Sequence, residues 1–347
     1  MLAVHQAADG GLARVRLPGG RLTAAQLDVL RRAAAELGDG RLELTSRANV
    51  QLRGLDADGP RELSDRLYTA DLLPSIAHER VRNILASPLS GLDQESRYDV
   101  MPVAAALDKA LCDRPALAEL PGRFLFALDD GRGDLAELQA DVAVRALDER
   151  TGLLSLGGRG VRVEWAAVPE LMVAAAEAFL QVREQEWRVA EVSGGAERIL
   201  ERLGLRATEV VPVESTRVAA GVHGTALVVT VPLGSLTQEQ ATALGQVDVR
   251  ITPWRSVVVP AGTSGLEEVG LVTSPDSPWE GVTACAGRPG CAKALADVRA
   301  DATRQLAQVR GRRVHWSGCE RRCGKPAGEF VDVIAVGDGY LVDGERL

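Results

Sequence analysis

A nine-residue pattern occurs twice in this chain and constrains its fold more than any other feature. Residues 18–26 read PGGRLTAAQ and residues 232–240 read PLGSLTQEQ, both fitting Pro-x-Gly-x-Leu-Thr-x-x-Gln. Each copy follows a strand-like run, residues 12–17 in the first and 226–231 in the second. In each, Leu-Thr marks a helix start with Thr23 or Thr237 as the N-cap. A second strand is expected after each helix, over residues 42–55 and 247–260. The order then repeats more loosely. Asp141-Val142-Ala143-Val144 precedes a turn at Thr151-Gly152, and Asp332-Val333-Ile334-Ala335-Val336 precedes one at Asp338-Gly339. A repeated strand–helix–strand unit with α/β segments implies an α+β chain built by duplication. Apolar spacing near 3.6 predicts helices over residues 24–37, 169–186, 196–203 and 293–309, and residues 205–214 are the best boundary between halves.

The balance of 40 basic against 48 acidic residues, a net charge of −8, disfavours a nucleic-acid or anionic-membrane partner. The longest stretch without a charged residue, 218–238, contains His223, Pro232 and several glycines, so it reads as strand, turn and strand rather than a membrane span. The start shows no basic, apolar export signal, and a cytoplasmic location is expected.

Within this acidic chain, arginines gather locally. Residues 44–53 alternate, which would set Thr45, Arg47, Asn49, Gln51 and Arg53 on one face of a strand and Leu44, Ser46, Ala48, Val50 and Leu52 on the other. Arg14 and Arg16 share a face of the preceding strand, and His78-Glu79-Arg80-Val81-Arg82-Asn83 is a third basic element. Guanidiniums bind carboxylates bidentately, so the set points to a polyanionic ligand. An alternating polar strand is also what the solvated face of an antiparallel sheet looks like.

Four of the five cysteines fall in the last fifth of the chain. Cys285 and Cys291 form C-x5-C, and Cys319 and Cys323 form C-x3-C. In a chain without an export signal, four clustered thiols point to a metal or redox group. Structural zinc prefers tighter knuckles, whereas a cubane iron–sulfur cluster tolerates wider loops; zinc stays open on spacing alone. Gly287, Gly290, Gly318 and Gly324 allow close backbone approach, and Arg288, Lys293, Arg321, Arg322 and Lys325 add positive charge. Cys112 reads as a buried apolar cysteine. Gly157-Gly158-Arg159-Gly160 lacks the spacing of a dinucleotide loop, so electrons must come from another protein.

The C-x5-C and G-C-x3-C pairs, with the LTSRANVQL stretch at 44–52 and RNILASP at 82–88, resemble the sulfite/nitrite reductase superfamily over the whole chain. The resemblance implies a pseudo-twofold fold: a ferredoxin-like half (1–75), an α/β lobe (76–205), a second ferredoxin-like half (206–270) and a cluster-binding lobe (271–347). It implies a 4Fe-4S cluster on Cys285, Cys291, Cys319 and Cys323, the last bridging to sirohaem iron in the reductases. It further implies that Arg47, Gln51 and Arg82 bind tetrapyrrole carboxylates or a small oxyanion; Arg14, Arg16, Thr45, Asn49 and Arg123 complete the expected binding set. The reductases grip their anion with several basic side chains, where this chain reads Leu120-Pro121-Gly122-Arg123-Phe124-Leu125-Phe126-Ala127-Leu128-Asp129-Asp130-Gly131 and keeps only Arg123. That departure and His315-Trp316-Ser317-Gly318-Cys319 resemble the precorrin-3B synthase branch of the superfamily. The branch implies O2-dependent hydroxylation of precorrin-3A with lactone formation, in cobalamin biosynthesis, fed by a ferredoxin or an NAD(P)H-dependent reductase. A sirohaem-dependent sulfite or nitrite reductase is the alternative. A second, non-haem iron is left open, because His5, His78, His223 and His315 show no ligand spacing.

Overall fold

The structure, a computed structural model, describes residues 4–7, 9–209, 216, 218–309, 311–326 and 328–346. Part of the expected boundary at 205–214 lies outside these. The chain divides into two compact units, one made of 1–15, 22–72 and 219–347, the other of 16–21 and 73–218.

The first unit contains three sheets, two of them built alike. One runs in the order His5–Ala7, Gly10–Val15, Val50–Leu55, Leu42–Leu44, Ser235–Leu236. Another runs Gly221–His223, Ala226–Thr230, Ser256–Pro260, Val249–Ile251, Arg21–Leu22. Each therefore ends on a two-residue strand supplied by the other copy of the repeat. The helices that follow the repeated pattern, Ala24–Leu37 and Gln238–Leu244, both begin on a complete capping box. Thr23 and Thr237 accept from the N3 backbone, and the Gln26 and Gln240 side chains accept from the cap N–H groups. The second helix is two turns shorter.

The strands expected over 42–55 and 247–260 are each a hairpin. Leu42–Leu44 pairs with Val50–Leu55 so that Leu44 faces Val50. Val249–Ile251 pairs with Ser256–Pro260 so that Ile251 faces Val257. The two turns have the same wiring. Thr45 N–H donates to Asn49 O at 2.9 Å and Thr252 N–H to Ser256 O at 2.9 Å. Thr45 Oγ1 accepts from the Arg47 and Asn49 backbones, Thr252 Oγ1 from the Trp254 and Ser256 backbones. Ala48 and Arg255 occupy the same left-handed position, φ 53° and 60°. A threonine-centred turn thus overrides the alternation of residues 44–53. Gln51 and Arg53 keep a common face on the second strand.

The third sheet of this unit holds Val282–Ala284, Val314–Ser317, Val331–Val336, Gly339–Val342 and Glu345–Arg346, the first three parallel and the rest antiparallel. The second unit has the same plan: Ile84–Ala86, Phe126–Asp129 and Val142–Ala146 are parallel, and Thr151–Leu156, Arg159–Glu164 and Thr208–Glu209 follow antiparallel. Gly157 and Gly158, with φ 51° and 83°, form the tight turn between two of these strands rather than a phosphate loop. Helices Met101–Cys112 and Val168–Val182 pack on this sheet through an aliphatic core. The apolar Val168–Val182 stretch is a core helix; it stops before the expected residue 186 because Arg183 is extended and the Glu186 carboxylate accepts the Glu184 and Gln185 N–H groups. The helix expected over 293–309 is shorter still, Val298–Arg304. Leu295 N–H and Ala296 O instead bond Gly318 O and Arg288 N–H, which keeps residues 293–296 in a loop, and Asp297 caps the helix that follows.

Candidate functional site

The four cysteines meet at one end of the last sheet in the first unit. Cys285 directly follows the strand Val282–Ala284, and Cys319 lies just past the adjacent parallel strand Val314–Ser317. Loops at the carboxyl ends of parallel strands are the usual place for a ligand site. Burial first, then the neighbouring Cys285, Cys319 and Cys291, hold the Cys323 thiol above its ordinary range, so the four groups share one electrostatic environment. Among the described residues, no three of these sulfurs lie within 4.8 Å of one another. A tetrahedral zinc with Zn–S near 2.3 Å would draw its sulfurs to roughly 3.8 Å apart. The sulfurs are therefore not drawn together as one tetrahedral zinc would hold them, and four thiols in adjoining loops are the donor set that a larger iron–sulfur cluster uses. It also supplies the backbone donor that cluster sulfurs use: Gly318 N–H points at Cys285 Sγ, 3.1 Å away.

Each hairpin of the first unit braces one cysteine loop. From the first hairpin, Arg53 forks onto Asp9 at 2.9 and 3.0 Å and donates to Gly290 O, inside the Cys285–Cys291 loop. Glu43, on the same hairpin, accepts both arms of Arg299, whose Nε donates to Cys285 O at 3.3 Å. Burial alone would raise Glu43, but Arg299 and Ser235 hold its carboxyl below the usual range. From the second hairpin, Arg255 donates to Gly324 O at 2.6 Å, beside Cys323. His315 is fully buried between these elements, its Nδ1 2.9 Å from Thr283 Oγ1. Burial and the nearby Arg255 push it down to about 3, so it is neutral at physiological pH.

Of the residues expected to bind an anion, Arg14, Thr45, Arg47, Asn49 and Gln51 belong to the first unit. Arg14 and Gln51 are cross-strand partners, with Nε donating to Oε1 at 3.1 Å. Arg47 is half-buried at the hairpin turn, Thr45 Oγ1 organises that turn and Asn49 is buried in it. Arg16, Arg82 and Arg123 belong to the second unit. Arg82 is buried with both arms on Asp108 at 2.7 Å, Arg16 is buried, and Arg123 is exposed with its guanidinium 5.2 Å from the Trp187 ring centre. Leu125 and Phe126, next to Arg123 in the stretch where the reductases carry several cations, are buried, with Phe126 opening an inner strand and packing edge-on to Phe124 at 5.1 Å. His78 is a buried structural residue between Ser75 and Arg114 O. Cys112 is half-buried, and burial pushes its thiol up to about 11, which makes it unreactive.

Sequence reasoning missed Glu43, Arg299, Asp9 and Arg255 as supports of the cysteine loops. Among the described residues one further group, Asp129, Asp130 and Asp134 of the second unit, has chelating atoms within 4.8 Å. Most of its oxygens are engaged within the protein: Asp129 accepts from Gly131 and Gly133, Asp130 pairs with Arg132, and Asp134 Oδ1 accepts from Ser87, while burial and the neighbouring Asp129 hold the Asp134 carboxyl well above its ordinary range.

Comparison with known proteins agrees with this geometry. Residues 5–68 match the nitrite/sulfite reductase ferredoxin-like half domain. The chain is 27% identical to a precorrin-3B synthase of Sinorhizobium sp., over 96% of this chain and 79% of the relative. It is also 27% identical to a ferredoxin–nitrite reductase of Synechococcus elongatus, over 96% of this chain and 78% of that one. The structure of the Mycobacterium tuberculosis NirA protein superposes with a TM-score of 0.76 at 21% identity, covering 96% of this chain and 73% of the other. With its duplicated halves and repeated lobes, this chain has the sulfite/nitrite reductase fold, and its matches lie in that superfamily.

Proposed function

We propose that this protein is an oxidoreductase of the precorrin-3B synthase type, an O2-dependent monooxygenase that hydroxylates precorrin-3A in the cytoplasm with lactone formation. The observation that carries this reading is the residue 120–131 stretch, where the reductases resembled here place several cations. This chain keeps Arg123 alone, and its guanidinium faces Trp187. Reduction of sulfite or nitrite needs positive charge and proton donors focused on the reacting anion. A carboxylate-rich macrocycle needs arginines spread over a wider surface, and Arg14, Arg47, Gln51 and Asn49 offer donors of that kind within the first unit.

In this reading Cys285, Cys291, Cys319 and Cys323 hold a 4Fe-4S cluster, which passes electrons from an external ferredoxin or NAD(P)H-dependent reductase. Gly318 N–H, Arg299 and Arg53 fix the cysteine loops, and the neutral His315 keeps an added charge out of the buried wall beneath them. Arg47 and Arg14 orient substrate carboxylates; Arg16, Arg82 and Arg123 are assigned to the same task. One atom of O2 enters the product and the other leaves as water.

Anaerobic purification followed by iron, sulfide and optical analysis tests the reading. The protein is expected to carry a cluster and no sirohaem, to leave sulfite and nitrite untouched with a strong artificial donor, and to incorporate one labelled oxygen atom into product from precorrin-3A. Serine at any of the four cysteines should remove most iron and sulfide. The equal similarity to a nitrite reductase favours a second reading, a sirohaem-dependent reductase. Near-stoichiometric sirohaem with steady sulfide or ammonia formation would make that the function.

A further inference from the structure

Arg255 is a buried cation without a carboxylate. Only 7% of it is exposed, and among the described residues its guanidinium makes a single hydrogen bond, to the Gly324 carbonyl, with no acidic oxygen within 4.0 Å. The contrast with Arg299 is direct, since that guanidinium, although only partly buried, has the Glu43 carboxylate on both arms. Burying a charge without a partner is costly, and proteins do so where a counter-ion binds.

The fold makes room for this side chain. A Cβ on Gly234 would sit 2.3 Å from Arg255 Cδ, and one on Gly324 would sit 2.7 Å from its guanidinium. Both glycines have positive φ, 69° and 78°, and Arg255 itself holds the left-handed conformation that its counterpart Ala48 fills with a methyl group. The charged groups that face Arg255 are Glu43, Arg299 and Cys285, and His315 feels its charge in turn. Apart from the engaged Glu43, the negative charge available is that of the cysteine cradle. Four thiolates around a 4Fe-4S core carry a net negative charge, which is the missing counter-ion.

We propose that Arg255 is a positioning residue for the iron–sulfur cluster: its guanidinium offsets the cluster's negative charge and ties the Cys319–Cys323 loop to the second hairpin through Gly324. The inference rests on the cluster assigned above. A cation fixed in a poorly solvated wall favours the more negative, reduced cluster, so its loss lowers the reduction potential. Burial depresses Arg255 to about 10, which leaves it charged at neutral pH.

The test uses the full chain purified anaerobically as wild type, Arg255→Gln, Arg255→Lys and Arg321→Gln, with iron and sulfide counts and an electron-paramagnetic-resonance redox titration. Arg255→Gln is expected to keep the cluster and shift the reduction equilibrium about tenfold toward the oxidised form, a fall of about 59 mV for one electron. Arg255→Lys should stay within about threefold of wild type. Arg321→Gln removes an exposed charge beside Cys323 and should shift the equilibrium less than Arg255→Gln, because solvent screens it. If Arg255→Gln fails to hold iron, Arg255→Lys decides: retention near the wild-type potential supports the proposal, and loss of the cluster in both overturns it. An unchanged potential in a fully loaded Arg255→Gln also overturns it. Wild-type protein without iron and sulfide would instead refute the cluster itself.

Discussion

The two hairpins of the first unit share one turn and serve two ends. In the first, the left-handed position holds Ala48, which leaves the neighbouring Arg47 half-buried at the tip. In the second, that position holds Arg255, and Trp254 stands where Arg47 does. A one-residue displacement of the arginine along an identical backbone therefore changes its surroundings, from a half-exposed turn to a buried wall beside the cysteines. Their second strands also differ. Gln51 and Arg53 are polar where the corresponding Val258 and Pro260 are apolar. Duplication supplied two equivalent frames, and in the function proposed above side-chain chemistry divides the labour between them, ligand for the first and cluster for the second.

The largest break in this comparison is expected at Glu43. Glu43→Gln would leave the partly buried Arg299 against Cys285 without its countercharge, a loss of about 3–4 kcal/mol, toward the lower end of the usual cost of halving a buried pair. Because the folded carboxyl lies below its ordinary range, its contribution is full above pH 4.5 and is lost as pH falls toward the lowered value. Urea unfolding of the wild type should show that acid decline, and Glu43→Gln should flatten it.

Next comes the room made for Arg255. Gly234→Ala combines left-handed strain with a collision against Arg255 and should cost about 2–4 kcal/mol. Gly40→Ala has the same backbone sign, φ 82°, but open space around it, so strain of about 1–2 kcal/mol is all it should show. Equal losses in the two variants would mean that Arg255 moves freely.

The first hairpin is sharpened by ligand binding. A charge-assisted hydrogen bond contributes about 1.5–3 kcal/mol, so Arg47→Ala should weaken uroporphyrin-type ligands roughly 10–150-fold by fluorescence titration. Unchanged affinity in Arg47→Ala, Arg82→Ala would make the first hairpin a solvated face. The smallest effect is Ala48→Gly. Relief of the left-handed strain and the added chain entropy nearly cancel, and thermal unfolding should move by less than about 1 kcal/mol.

What the sequence disclosed follows from how local each signal is. Thr23 and Thr237 were readable as caps because a capping box is complete within four residues. The cysteine cradle was readable because thiols in this number and place have few other uses. The hairpins were not readable in the first copy, where Thr-Ser-Arg-Ala-Asn has the period of a strand and no glycine or proline at the turn. The second copy carries Pro253 at the corresponding place, and aligning the copies there would have exposed both turns. Arg82–Asp108 and Arg299–Glu43 join residues far apart in sequence, so no local pattern announces them.

The exchange of edge strands has a consequence for how such a chain came to exist. Ser235–Leu236 completes the sheet of the first half and Arg21–Leu22 that of the second, with Ser235 Oγ donating to Glu43 across 192 positions of sequence. Neither half can close its own sheet, so a single ancestral half would have had to work as a strand-swapped pair before the genes fused. The fused chain keeps that dependence. Its first sheet gains its last strand only once residue 236 is made, and pairing over such a span is the kind of long-range contact that slows folding.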